Sequence, residues 1–236
     1  NPARSELAGY VDAAKSPAES GIVHQAFVQF IRAFVPNAPL WLREGFGIYF
    51  ESLAYSPDTG TAVMAENLSW LETYKALVKG EGSGKVFSMD ELLNMSADTA
   101  RAEIKTFYPQ AWALVHYLAK TAERDHNRVL WDAMAAQDPA ANLVDNSAKV
   151  QSQAFKWVDM TAFELAMGEY FTAKKTFPEL VREGIDLYAS TKSAEAQATF
   201  ETALAASTSS YVPYYYLGLI SYDNGQYAKA EEYYLQ

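Results

Sequence analysis

Three side chains in this sequence can exchange a proton near neutral pH, namely the imidazoles of His24, His116 and His126. An imidazole serves as general acid or base, or lends a ring nitrogen to a metal. Cysteine is absent, which removes thiol nucleophiles, thiolate metal sites and disulfides from consideration. His126 sits in Glu123-Arg124-Asp125-His126-Asn127-Arg128, a charged stretch that reads as a solvated bend. The run Gly80-Glu81-Gly82-Ser83-Gly84-Lys85-Val86 has the look of a phosphate cradle. Its glycine spacing is one residue short of a P-loop, Val86 replaces the Mg²⁺-binding hydroxyl and no strand precedes it. It therefore reads as a surface loop.

His24 lies in a segment that must be helical. Apolar residues at Ile22, Val23, Ala26, Phe27, Phe30, Ile31 and Phe34 recur at helical spacing and predict one buried face. Pro36 and Pro39 end that helix, Asn37 is placed to cap the next one, and Leu40 to Leu53 read as that second helix. Two helices joined by so short a bend pack closely, which brings residues of the second against His24.

The second helix, Trp41-Leu42-Arg43-Glu44-Gly45-Phe46-Gly47-Ile48-Tyr49-Phe50-Glu51, resembles the W-L-x-E-G-x-A-x-Y-x-E run of gluzincin metallopeptidases, the peptidase MA-like group. In that family His-Glu-x-x-His on one helix and Glu on the next hold zinc. The resemblance places Glu44 at the third-ligand position and His24 at the first histidine. It also puts Gln25 where the general-base glutamate belongs and Val28 where the second histidine belongs. A catalytic zinc needs three protein ligands and an open position, and His24 with Glu44 supply two. An amide at Gln25 cannot take a proton, so the roughly 10²- to 10⁴-fold contribution of a positioned base is lost as well. The resemblance thus implies a vestigial site of His24, Gln25, Val28 and Glu44, with no catalytic residue, no resident metal and no cofactor. His24 is expected as a buried imidazole bonded across the helix pair to Glu44 or a backbone carbonyl. The alternative is a non-standard zinc site using His24, Glu44 and a ligand from elsewhere in an active peptidase.

Further along, Ser56-Pro57-Asp58-Thr59-Gly60 is a turn cluster and Val63 to Val78 reads as helix. Ser88-Met89-Asp90-Glu91 is a capping box opening a short helix through Leu93. The stretch from Phe107 to Leu118 resembles the helix that follows the zinc glutamate in the same family, which makes Tyr108 and His116 its candidate oxyanion helpers; at helical spacing, packed core residues are the plainer expectation. Helices are expected from Asn127 to Ala136, from Ala148 to Trp157 and from Thr161 to Ala173, the last with a capping box at Thr161 and Glu164. Asp138-Pro139 and Asp145-Asn146-Ser147 read as turns, and strand-like alternation is nowhere convincing.

From Phe177 onward the chain repeats itself. Gly184 and Gly218, Tyr188 and Tyr222, Ala196 and Ala230, and Phe200 and Tyr234 are each 34 residues apart, the period of tetratricopeptide (TPR) repeats. Tyr214, Leu217, Gly218, Gly225, Tyr227, Ala230 and Tyr234 fall where that repeat places its packing and turn residues. The chain stops inside the second repeat, and the expectation is that the native protein continues with more of them.

The fold class expected is therefore mostly α: a zincin-like helical domain over residues 1–175, its N-terminal sheet absent or minimal, followed by TPR hairpins over 176–236. A hydrophobic share of 50% is enough for a substantial core. A net charge of −10 without clustered Lys or Arg argues against a nucleic-acid partner. No apolar run reaches the length of a membrane span. The chain opens at Asn1-Pro2 without Met, as a processed or excised piece would, and the resemblance implies an exported or cell-envelope protein of bacteria. The function expected is that of a non-catalytic pseudo-metallopeptidase, binding a protein or peptide partner through its repeats.

Overall fold

The computed structural model describes residues 18–56, 58–64, 66–81, 84–206 and 210–236. The expectation about a sheet before the first helix falls outside the described residues, as do Pro57 of the turn cluster and Gly82-Ser83 of the glycine-rich loop. The protein is mostly helical, and its chain forms two compact units, one ending at Ala173 and the other running Lys174–Gln236.

In the first unit, α1 (Ala18–Phe34) and α2 (Leu40–Tyr49) form the expected pair. The buried face of α1 is His24, Val28 and Ile31, spaced by four and three residues. Part of the predicted apolar stripe lies outward instead, and Phe30 is 62% exposed. The face is chosen by what α2 and the turn after it offer, namely carboxylates for an imidazole, and not by hydrophobicity alone. Asn37 does not cap α2. Its side chain donates to Ala141 O (3.1 Å), while the buried Asn146 donates to Asn37 O (3.0 Å), which ties the α1–α2 bend to a distant loop.

Helix α2 ends at Tyr49, not at Leu53; a 3₁₀ turn (Phe50–Ser52) leads into β1 (Leu53–Ser56), which pairs antiparallel with β2 (Thr61–Met64). This hairpin corrects both the expectation of no strand and the helix predicted from Val63, since α3 spans only Leu71–Val78. The buried Asn67 between them donates to Ile48 O and accepts from Ser69, and the Trp112 indole donates to its carbonyl.

The capping box at Ser88 forms with both of its bonds and opens α4 (Met89–Leu93), which is followed by α5 (Ala97–Ala102). The centre of the core is α6 (Ile104–Lys120), in which Phe107, Ala111, Trp112, Leu114, Val115 and Leu118 are fully buried. Helix α2 lies directly on it. A Cβ at Gly45 would stand 2.5 Å from Ala111 O and 2.6 Å from Val115 Cγ2, closer than atoms approach, so only glycine permits this crossing.

Around this pair run α7 (Arg124–Ala135), α8 (Leu143–Ala154) and α9 (Met160–Ala173). His126 is on α7 and half-buried, hydrogen-bonded to the Tyr117 hydroxyl, so the charged stretch is a helix and not a bend. Helix α8 begins earlier than predicted because the Asn142 side chain accepts from Asp145 N, which takes Asp145-Asn146-Ser147 into the first turn. The cap of α9 is Asp159, which accepts from Ala162 N, in place of the predicted box at Thr161.

The second unit is two helical hairpins, α10 (Phe177–Ala189) with α11 (Ser193–Ala206) and α12 (Tyr211–Asp223) with α13 (Tyr227–Tyr234). Gly184 leaves room for the Phe200 ring and Gly218 for the Tyr234 ring. The same turn closes both hairpins, with Lys192 N donating to Leu187 O in one and Gln226 N to Ser221 O in the other. Its left-handed residue is Gly225 (φ 72°) in the second hairpin and Thr191 (φ 60°) in the first. Ala196, Phe200, Leu217 and Ala230 are buried and Tyr214 is partly so, whereas Tyr227 is 65% exposed.

Candidate functional site

The side chain at the junction of α1 and α2 is His24. Its Nδ1 stands 2.8 Å from Glu51 Oε1 and its Nε2 3.2 Å from Glu44 Oε2. Glu44 is on α2 and Glu51 on the 3₁₀ turn that continues it, and the two carboxylates grip opposite edges of the same ring. Gly47, between them, makes the space: a Cβ there would lie 2.9 Å from His24 Nε2. The Tyr108 ring stacks on the imidazole at a centroid distance of 6.1 Å.

Both ring nitrogens face carboxylates, so both do best carrying a proton. Burial alone would push the His24 pKa down, but its hydrogen bonds to Glu44 and Glu51, reinforced by their charges, lift it to about 9. For Glu44 burial works against the charged form, and the bond from His24 together with the Arg43 guanidinium outweighs it, leaving the carboxyl below its usual range. Burial, then the Glu44 charge, pushes the Tyr108 hydroxyl up to about 12.

Glu44 is crowded with donors. Oε1 accepts from Arg43 Nε and lies against Arg43 Nη2, each at 2.8 Å. Oε2 faces His24 Nε2 and accepts from the Tyr108 hydroxyl at 3.4 Å. An ionised carboxylate has about four acceptor positions, and three hydrogen bonds with the second Arg43 nitrogen beside them use most of that capacity. Among the described residues no group of three or more His, Asp or Glu side chains is arranged to hold a metal ion. The physical reason lies in this geometry. The two carboxylates stand on opposite sides of the His24 ring, each against a different nitrogen, so the three side chains do not converge on one point. Zinc does not fit the donor set; the imidazolium itself supplies the positive charge between the carboxylates.

Residues 20–140 match the family described as Protein of unknown function (DUF1570). The chain belongs to the DUF1570 family. No curated protein and no solved structure matches it. The part of this DUF1570 chain that carries the match runs from α1 to the loop after α7 and contains the whole His24 cluster.

The expected site residues divide. His24, Glu44 and Tyr108 are brought together. Gln25 is exposed on α1, and Val28 is buried as a packing residue. His116 lies elsewhere, fully buried among Tyr49, Trp112, Tyr170 and Phe171, with Nε2 3.2 Å from a Glu66 carboxylate oxygen. Reasoning from sequence missed Glu51, Arg43 and Gly47. The seven-residue interval between two glutamates on one predicted helix was the available signal for Glu51.

Proposed function

We propose that this DUF1570 protein is a non-catalytic relative of gluzincin peptidases joined to TPR hairpins, acting as a protein or peptide interaction module. One observation carries the reading: the imidazole at the first-histidine position is held between two carboxylates, and the carboxylate at the third-ligand position is bonded to Arg43 and Tyr108 as well as to that ring. Zinc chemistry of the peptidase kind would need neutral His24, a freed Glu44 and a third ligand. Gln25 supplies no base, and the exposed position of its side chain gives it no part in the cluster. The TPR assignment is supported by the pairs Gly184 under Phe200 and Gly218 under Tyr234, which repeat one packing device after 34 residues. Hairpins of this kind nest against one another and present a groove suited to an extended peptide or a helix.

The test is metal content and peptidase activity together. Protein purified without chelator is expected to carry far less than one zinc per chain and to leave a fluorogenic peptide library uncut. Stoichiometric zinc that vanishes in His24→Ala would overturn the reading.

A further inference from the structure

Beside Glu44 the first unit has an open cleft of about 220 Å³. Arg43, Arg101 and Tyr108 line it together with the apolar side chains of Leu40, Ile104 and Phe107. We propose that this cleft binds a small monocarboxylate with a short apolar tail, presented as a free acid or as the C-terminal residue of a peptide. The inference rests on the non-catalytic reading, because it uses Glu44 as a structural group.

Glu44 is the acidic side chain of the lining, and its acceptor positions are taken by His24, Arg43 and Tyr108. It therefore has little left to offer a ligand donor. The unspent hydrogen-bonding capacity is mostly cationic. A guanidinium has five N–H donors, and Arg43 directs two of its nitrogens at Glu44. Arg101 is 78% exposed on its side chain, and its ion pair with the fully solvated Asp98 is a long one at 3.7 Å. Such surface pairs contribute little and are readily exchanged for a better partner. The planar fork of arginine matches a carboxylate in two parallel bonds. Arg43 is held by Glu44, so Arg101, whose partner Asp98 is distant and solvated, is the cation of the lining with donors to turn toward a ligand.

Apolarity and size narrow the ligand. Inorganic phosphate has no apolar part to set against the apolar side of this lining, which favours a carboxylate that carries a tail. Leu40, Ile104 and Phe107 reward an apolar group that leaves water. A cavity of about 150 Å³ takes up benzene, so the space here suits a carboxylate plus a tail of about five carbons, the dimensions of a leucine residue or of isocaproate.

The experiment is calorimetric titration of the whole chain with isocaproate, with Gly-Gly-Leu, with Gly-Gly-Leu amide and with inorganic phosphate. Binding of at least one carboxylate at about millimolar Kd is expected, with the amide and phosphate at least about tenfold weaker. Arg101→Ala is expected to weaken the carboxylate by about tenfold or more while leaving the melting temperature unchanged, since the side chain is exposed. Tighter binding of Gly-Gly-Leu than of isocaproate identifies the ligand as a peptide end, and the reverse order identifies a free acid. Equal binding of acid and amide, no effect of Arg101→Ala, or no heat with either carboxylate up to about 10 mM overturns the proposal. Cleavage of Gly-Gly-Leu or stoichiometric zinc uptake would instead overturn the non-catalytic reading, whatever the titration gives.

Discussion

Replacing His24 by Gln and following stability from neutral to alkaline pH measures what the imidazolium contributes to the first unit. In the folded unit His24 has a pKa of about 9, against about 6.5 in an unfolded chain. The folded value is the higher one, so the native state binds the proton more tightly. The stabilisation is complete below a pH of about 6.5 and disappears as the pH climbs through the folded value. At about 1.4 kcal/mol for each tenfold change in proton affinity, the full effect is about 3 kcal/mol. That is a large part of the roughly 5–15 kcal/mol that holds a typical domain. Most of it should be lost between about pH 7 and about pH 10. Tyr108 does not interfere, because its hydroxyl titrates at about 12. All five tryptophans lie before residue 174, so urea unfolding read by tryptophan fluorescence reports on the first unit alone. Subtracting the His24→Gln curve from the wild-type curve removes the titration of lysines and other tyrosines. The difference should shrink by about 2–3 kcal/mol over that interval. A difference that stays flat would mean that the ring is neutral between its carboxylates, and the account of the site would fail.

Gly45→Ala should cost the first unit about 3 kcal/mol, because the new methyl meets a backbone carbonyl that cannot yield. In a thermal scan this corresponds to a drop of about 6–12 °C. Gly168→Ala on α9, with nothing within 4 Å, should instead be neutral or stabilising by up to about 1 kcal/mol, and equal losses at the two positions would contradict the packing argument. Thr191→Gly relieves a β-branched residue at φ 60° and should stabilise the second unit by about 1 kcal/mol; slower amide exchange in α10 and α11 would show it, and faster exchange would refute it. Asn146→Ala strands the Asp138 N–H and the Asn37 and Asp138 carbonyls. A loss of about 2–3 kcal/mol is expected in chemical denaturation, and an unchanged midpoint would count against the tie between the bend and α8.

The helices whose signals are local were legible in the sequence. The proline pair set the break between α1 and α2, Ser88 and Glu91 announced α4, and the 34-residue interval located both hairpins of the second unit. The features that escaped prediction depended on partners distant in the chain. The burial of α1 through His24 and not through Phe30 comes from carboxylates 20 and 27 residues away. The β1–β2 hairpin is four residues a side, too short for alternation to register above background. Asn146 looks like a turn residue until the carbonyls of Asn37 and Asp138 are beside it. At the site, the polar identities of His24 and Glu44 were visible, but the second carboxylate and the arginine that complete the cluster required knowing which face of α2 turns toward α1.

The crowding of donors around Glu44 has a consequence for design. Installing a glutamate at position 25 and a histidine at position 28 would write a His-Glu-x-x-His motif over positions 24–28 without supplying its chemistry. The incoming ion would still have to expel a proton from His24 and displace Arg43, and Glu51 would continue to draw the ring the other way. An engineer would have to delete contacts before adding ligands, starting with Arg43 and Glu51, so any route to a metal site in this chain begins by unbuilding the cluster already there.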